Sequence, residues 1–86
     1  MSEHPTLPEL LQALPQMRPV KHSLTLKQHR TSVSLEPEFW QAFQDIAKAK
    51  GQTINGLASE IDAARAPDVG LASAMRVFVL RYFQSP

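Results

Sequence analysis

Arg30, Ser32 and Ser34 are the side chains best suited to recognition chemistry in this sequence. In Arg30-Thr31-Ser32-Val33-Ser34-Leu35 they alternate with Thr31, Val33 and Leu35, and successive residues of a strand point to opposite sides. Val33 and Leu35 would face a core, while a guanidinium and two hydroxyls face outward. A guanidinium can donate two parallel hydrogen bonds to one guanine edge, whereas a hydroxyl pairs with more than one base. A lone strand leaves its backbone groups unpaired in water and needs a partner. Two copies of the chain could supply one another. A two-stranded ribbon with such a face suits the major groove of DNA.

Other chemistry is poorly supported. His4, His22 and His29 lack metal-ligand spacing and read as solvated surface residues. Glu60 and Asp62, two apart on a helix, face different directions and do not form an acid–base pair. No glycine-rich phosphate loop follows a strand, and no serine stands with a base and an orienting group. The chain has 86 residues and no cysteine, so disulfides and thiolate–metal ligation are excluded. A catalytic pocket is hard to build at this size; an enzyme is not expected, nor a cofactor or metal. No apolar run approaches the roughly 20 residues that span a bilayer. Met1-Ser2-Glu3-His4-Pro5 lacks the basic and apolar regions of a signal peptide. A cytoplasmic protein without membrane contact is the expectation.

Two elements must position the outward face. Pro37 suits the first position of a helix, and Phe39, Phe43, Ile46 and Ala47 recur at helical spacing, widened by Trp40 and Ala42. The aromatic cluster reads as core rather than as a base-stacking platform. Lys50 and Gly51 mark the end of this helix. Thr53 caps the next one, in which Ile54, Leu57, Ala58 and Ile61 repeat at helical spacing. Gly56 in its first turn costs about 1 kcal/mol relative to alanine. It points either to close approach of a ligand or to tight packing against a neighbouring helix. Pro67 ends this second helix, and residues 71–83 form a third with a broad apolar face suited to a subunit interface.

Upstream, Ser23-Leu24-Thr25-Leu26-Lys27 alternates as a second strand. Gln28-His29 either turns it back onto residues 30–35 as a hairpin or forms a bulge in one longer strand. Neither residue is a strong turn former. Residues 1–22 read as a flexible arm ahead of a domain over residues 23–86. Within the arm, residues 8–14 make two helical turns with Leu7, Leu10, Leu11 and Leu14 as an apolar stripe, a candidate for docking on a protein partner. About 65 residues remain for a core, a size at which a monomer is marginal and oligomerisation helps.

Net charge is +1, but it is unevenly distributed. No acid occurs between Leu10 and Leu35, where Arg18, Lys21, Lys27 and Arg30 lie. Beyond Leu35, six acids face five bases. A dimer would double the basic half into a modest phosphate footprint.

In order, these motifs resemble the ribbon-helix-helix superfamily, in particular a small bacterial ribbon-helix-helix domain family. The residues that carry the resemblance are His29-Arg30-Thr31-Ser32-Val33-Ser34-Leu35-Glu36-Pro37-Glu38-Phe39-Trp40, Ile46-Ala47, Leu57, Glu60-Ile61-Asp62 and Leu71-Ala72-Ser73-Ala74-Met75-Arg76-Val77-Phe78-Val79-Leu80. The similarity covers residues 22–82. It implies a mostly α fold with a short N-terminal strand or hairpin, an extra C-terminal helix and a homodimer in which two strands pair antiparallel. It also implies a transcriptional regulator that binds double-stranded DNA. Arg30, Ser32 and Ser34 would read bases, assisted by Lys27, and Thr53, Ile54 and Asn55 would hold a backbone phosphate. The last expectation agrees with the affinity of helix N-termini for anions. The strand face departs from the common pattern in offering two serines and one arginine, which predicts weak sequence specificity. A protein-interaction adaptor or an antitoxin, with the arm on its partner, is the alternative.

Overall fold

A computed structural model describes residues 4–14, 18–27 and 29–86. Its elements are α1 (Leu7–Ala13), β1 (Val20–Leu26), β2 (His29–Leu35), α2 (Pro37–Ala49), α3 (Ile54–Ala64) and α4 (Leu71–Gln84). The fold is mostly helical behind one antiparallel hairpin, with α4 as the extra C-terminal helix.

The two strands belong to the same chain. Leu26 lies opposite His29, Ser23 opposite Ser32 and Val20 opposite Leu35. Of the two readings left open by the sequence, the hairpin is the one found, so the ribbon does not need a second copy to form. β1 begins at Val20, earlier than the alternation from Ser23 suggested. The turn expected at Gln28-His29 sits one residue earlier. His29 is already in β2, Gln28 lies outside the described residues, and Lys27 carries a left-handed φ of 50°. Two-residue hairpin loops require that conformation and usually place Asn, Asp or Gly there. Lys27 adopts it without such help, which explains the missing turn signal.

One face of the hairpin is apolar and shut. Leu24, Leu26, Val33 and Leu35 are each at most 3% exposed. They pack on Phe43, Ile46 and Ala47 of α2, Leu57, Ala58 and Ile61 of α3, and Met75 and Val79 of α4. Each large side chain buried there contributes about 1.5–3 kcal/mol. No polar side chain is buried among the described residues, so the buried contacts that seat the ribbon are apolar.

The helices start and stop as their sequences dictate. Pro37 opens α2, and Gly51, at φ 67°, ends it. There Gln52 N–H donates to the Ala47 carbonyl at 2.9 Å. Thr53 caps α3 by accepting from the Gly56 amide at 2.9 Å. α1 carries a capping box between Thr6 and Glu9. A bidentate pair locks α4 to the strand–helix junction. Arg76 Nε donates to Glu36 Oε1 at 2.8 Å, and its Nη2 donates to Glu36 Oε2 and to the Ser34 carbonyl, each at 3.2 Å.

His22 is a correction. Expected as solvated, it is half-buried on the inner side of β1 and stacks on Trp40 with ring centroids 3.9 Å apart and planes 7° from parallel. Alternation from Leu24 and Leu26 turns His22 inward, where the Trp40 ring is its neighbour. That contact also covers one face of Trp40, in keeping with its reading as core.

Candidate nucleic-acid interface

The outward face of the hairpin is set by register. Three cross-strand pairs point away from the core: Lys21 with Ser34, Ser23 with Ser32, and Thr25 with Arg30. All six side chains belong to exposed residues. The two cations occupy diagonal corners, Lys21 on β1 and Arg30 on β2, with hydroxyls between them. Lys27 adds a third exposed cation at the tip. No carboxylate shares the face. Such a surface donates hydrogen bonds from its two long side chains and both donates and accepts through its hydroxyls.

The fold therefore brings Arg30, Ser32, Ser34 and Lys27 onto one ribbon. It adds two residues that sequence reasoning did not assign, Ser23 and Thr25. Their alternation was visible. Their place beside Ser32 and Arg30 follows only once the two-residue loop fixes which residues stand opposite.

The start of α3 stands at the edge of β1. Asn55 Oδ1 accepts from the Thr25 amide at 3.0 Å, which ties the helix to the ribbon near Arg30's partner. Asn55 thus has a structural role on its carbonyl side, while its Nδ2 remains a donor. Ile54 is half-buried, its side chain packed against the core. Its amide and that of Asn55 belong to the first turn, where helical amides lack intrahelical acceptors. Thr53 Oγ1 takes the Gly56 amide. Two backbone amides, the Asn55 side-chain amide and the Thr53 hydroxyl proton together form a donor cluster at the positive end of a helix.

That geometry also resolves Gly56. A Cβ there would lie 2.9 Å from Thr53 Oγ1. The glycine makes room for the capping hydroxyl, and no neighbouring helix lies within 4 Å of that position.

Glu36 is the titratable group with a resolved shift. Its carboxyl is held below the ordinary carboxylate range, first by the Arg76 hydrogen bonds and then by its own backbone amide. It stands just after β2 and, through Arg76, anchors the end of that strand. Among the described residues, no group of three or more His, Cys, Asp or Glu side chains could hold a metal ion. Nor is any of their helices long and apolar enough to cross a membrane.

The profile of the ribbon-helix-helix domain family matches residues 19–83. The chain belongs to that family. Ribbon-helix-helix domains are regulatory rather than enzymatic folds, generally those of DNA-binding transcription regulators or antitoxins. No curated protein and no solved structure matches the chain.

Proposed function

We propose that this ribbon-helix-helix protein is a cytoplasmic transcriptional regulator that binds double-stranded DNA as a homodimer, with the β1–β2 hairpin in the major groove. The observation that carries the reading is the outward face itself: three cations and four hydroxyls on a two-stranded ribbon, with no acid among them. Arg30 and Lys21 are the base-edge donors of this reading, and Ser23, Thr25, Ser32 and Ser34 pair permissively. Lys27 meets a phosphate at the groove wall. The first-turn amides of α3 and the Thr53 hydroxyl hold a second phosphate and set the register.

Width supports one hairpin per groove. Two strands lie about 4.8 Å apart, but four strands joined edge to edge span about 14 Å, against a groove about 12 Å wide. In this reading each copy brings its own ribbon, and the copies join away from it.

Fluorescence anisotropy against duplex DNA at several salt concentrations tests the proposal. The expected result is affinity that falls linearly in log–log with salt and drops roughly 5- to 150-fold with Arg30→Ala, one strong base contact being about 1–3 kcal/mol. A folded protein that binds no duplex at low salt would sink it. The second reading, an adaptor or antitoxin, is favoured by one observation, the exposed leucine stripe of α1.

A further inference from the structure

The hairpin repeats itself. β1 carries Lys21-His22-Ser23-Leu24-Thr25-Leu26 and β2 carries Arg30-Thr31-Ser32-Val33-Ser34-Leu35. Cation, serine, aliphatic residue, hydroxyl and leucine follow in the same order, and the two strands share one pattern of exposure from end to end. The pairing obeys the repeat. Exchanging each residue for its counterpart turns the pair Lys21–Ser34 into Arg30–Thr25 and returns Ser23–Ser32 to itself. An approximate two-fold axis therefore passes between Ser23 and Ser32, perpendicular to the ribbon.

Packing accounts for the inner half of this repeat. Leu24 with Val33, and Leu26 with Leu35, fill equivalent places over the core. It makes no such demand on the outward residues, which are exposed. Yet cation, serine and hydroxyl recur there in the same order. Nor do the helices follow the two-fold. Asn55 of α3 holds the Thr25 amide, whereas at Ser34, the counterpart, Arg76 of α4 holds the carbonyl. The symmetry is confined to the ribbon.

We propose that the ribbon of a single chain reads a short inverted DNA element, with its own two-fold on the dyad of that element. The element has one guanine on each DNA strand, taken by Arg30 and by Lys21, around a permissive centre beneath Ser23 and Ser32. The inference rests on the DNA-binding reading above. A two-fold protein surface meets equivalent groups on the two strands of a palindrome, and both cations donate to the guanine edge. Spacing follows from the strand. Thr25, the partner of Arg30, lies four residues beyond Lys21, a distance of about 14 Å. With base pairs about 3.4 Å apart, the guanines lie about four base-pair steps from one another, or about three to five with the reach of the side chains. The ends differ in strength. A guanidinium forks onto guanine, whereas an ammonium is a point charge, so the Arg30 end is the stricter.

Selection of the full chain against a duplex library with a randomised centre tests the proposal, followed by anisotropy titration of the recovered duplex and its single-base variants. The expected motif is the inverted guanine pair at that spacing. Adenine in place of the guanine read by Arg30 should weaken the parent roughly 5- to 150-fold and leave Arg30→Ala indifferent. The guanine on the other strand should depend on Lys21 in the same way, by a smaller factor, and Lys21→Arg should make the two ends equally strict. Both alanine variants replace exposed side chains, and their circular dichroism should match that of the parent. In a dimer the whole element would recur about 10 base pairs away, well outside the spacing within one element. Bases dependent on Arg30 and on Lys21 that lie on the same strand, or about a helical turn apart, would overturn the inverted element and leave DNA binding standing. So would a motif indifferent to Lys21→Ala. A folded chain that recovers no duplex would sink both readings together.

Discussion

The two faces of one hairpin show how a small sequence separates folding from recognition. Leu24, Leu26, Val33 and Leu35 point inward and are almost completely covered, while Lys21, Ser23, Thr25, Arg30, Ser32 and Ser34 point outward and are exposed. Neighbours along the same strand thus have different jobs. The inner face supplies the buried contacts between the hairpin and the helices, and no buried polar side chain shares them among the described residues. The outer face is left to chemistry. It follows that substitutions one residue apart should affect different measurements.

The sharpest contrast is at the end of β2. Leu35→Ala removes a side chain that is 0% exposed and should lower unfolding free energy by about 2–5 kcal/mol, read from urea denaturation. Ser34→Ala, one residue earlier on the outer face, should stay within about 0.5 kcal/mol of the parent. Its backbone carbonyl, which accepts from Arg76, is kept. If both variants lost stability equally, the separation of the faces would be wrong.

The inner face was more legible in the sequence than the outer one. Period-2 alternation marked Val33 and Leu35, and period-3.6 repeats marked Phe43, Ile46, Leu57 and Ile61, because burial imposes a pattern that the sequence itself carries. The half of the outer face on β2 was legible for the same reason. The half on β1 was not assigned, since it depends on register, and register depends on a loop whose Lys27 takes a conformation usually left to Gly or Asn. The stacking of His22 on Trp40 and the tie from Asn55 to Thr25 were also hidden. They join residues 18 and 30 positions apart through tertiary geometry alone. Gly56 was visible as an anomaly, but its cause was a capping hydroxyl only three residues away.

Thr53 sharpens the comparison where the ribbon meets α3. Thr53→Ala deletes the cap on the Gly56 amide and should cost about 1 kcal/mol. It should also weaken DNA binding, because the same hydroxyl belongs to the proposed phosphate cluster. Gly56→Ala separates those effects. Its gain of up to about 1 kcal/mol in helix propensity is offset by displacement of the Thr53 hydroxyl that lies 2.9 Å from the new Cβ. Little net change in melting temperature, with weaker DNA binding, is the expected pattern. Unchanged binding for both variants would remove the α3 start from the interface.

Lys27 reverses the usual sign. Replacing a non-glycine residue at φ 50° by glycine relieves left-handed strain of about 1–2 kcal/mol, partly offset by the greater freedom of glycine in the unfolded chain. Lys27→Gly should therefore fold with equal or slightly greater stability while losing a cation at the ribbon tip. In the anisotropy assay the salt slope should fall by about one phosphate contact. A stability gain with an unchanged slope would show that the lysine serves neither the turn nor the DNA.

The smallest expected effect lies where the two faces share an anchor. Glu36, just after β2, has its carboxyl pKa lowered in the fold by Arg76 and by its own amide. A carboxyl depressed in the folded state stabilises it once ionised in the unfolded chain, above the ordinary value of 4.5. That contribution is lost as pH falls from there through the lower, folded value. Glu36→Gln should therefore lower the melting temperature slightly at pH 7, and the gap should narrow as pH drops below about 4.5. Arg76→Gln, which removes the partner, should show the same convergence. It should also loosen α4 from the Ser34 carbonyl, detectable as faster amide exchange at the end of β2 rather than at the Lys27 turn. Equal acceleration at both ends of the hairpin would mean that Arg76 steadies the fold as a whole and not the strand–helix junction.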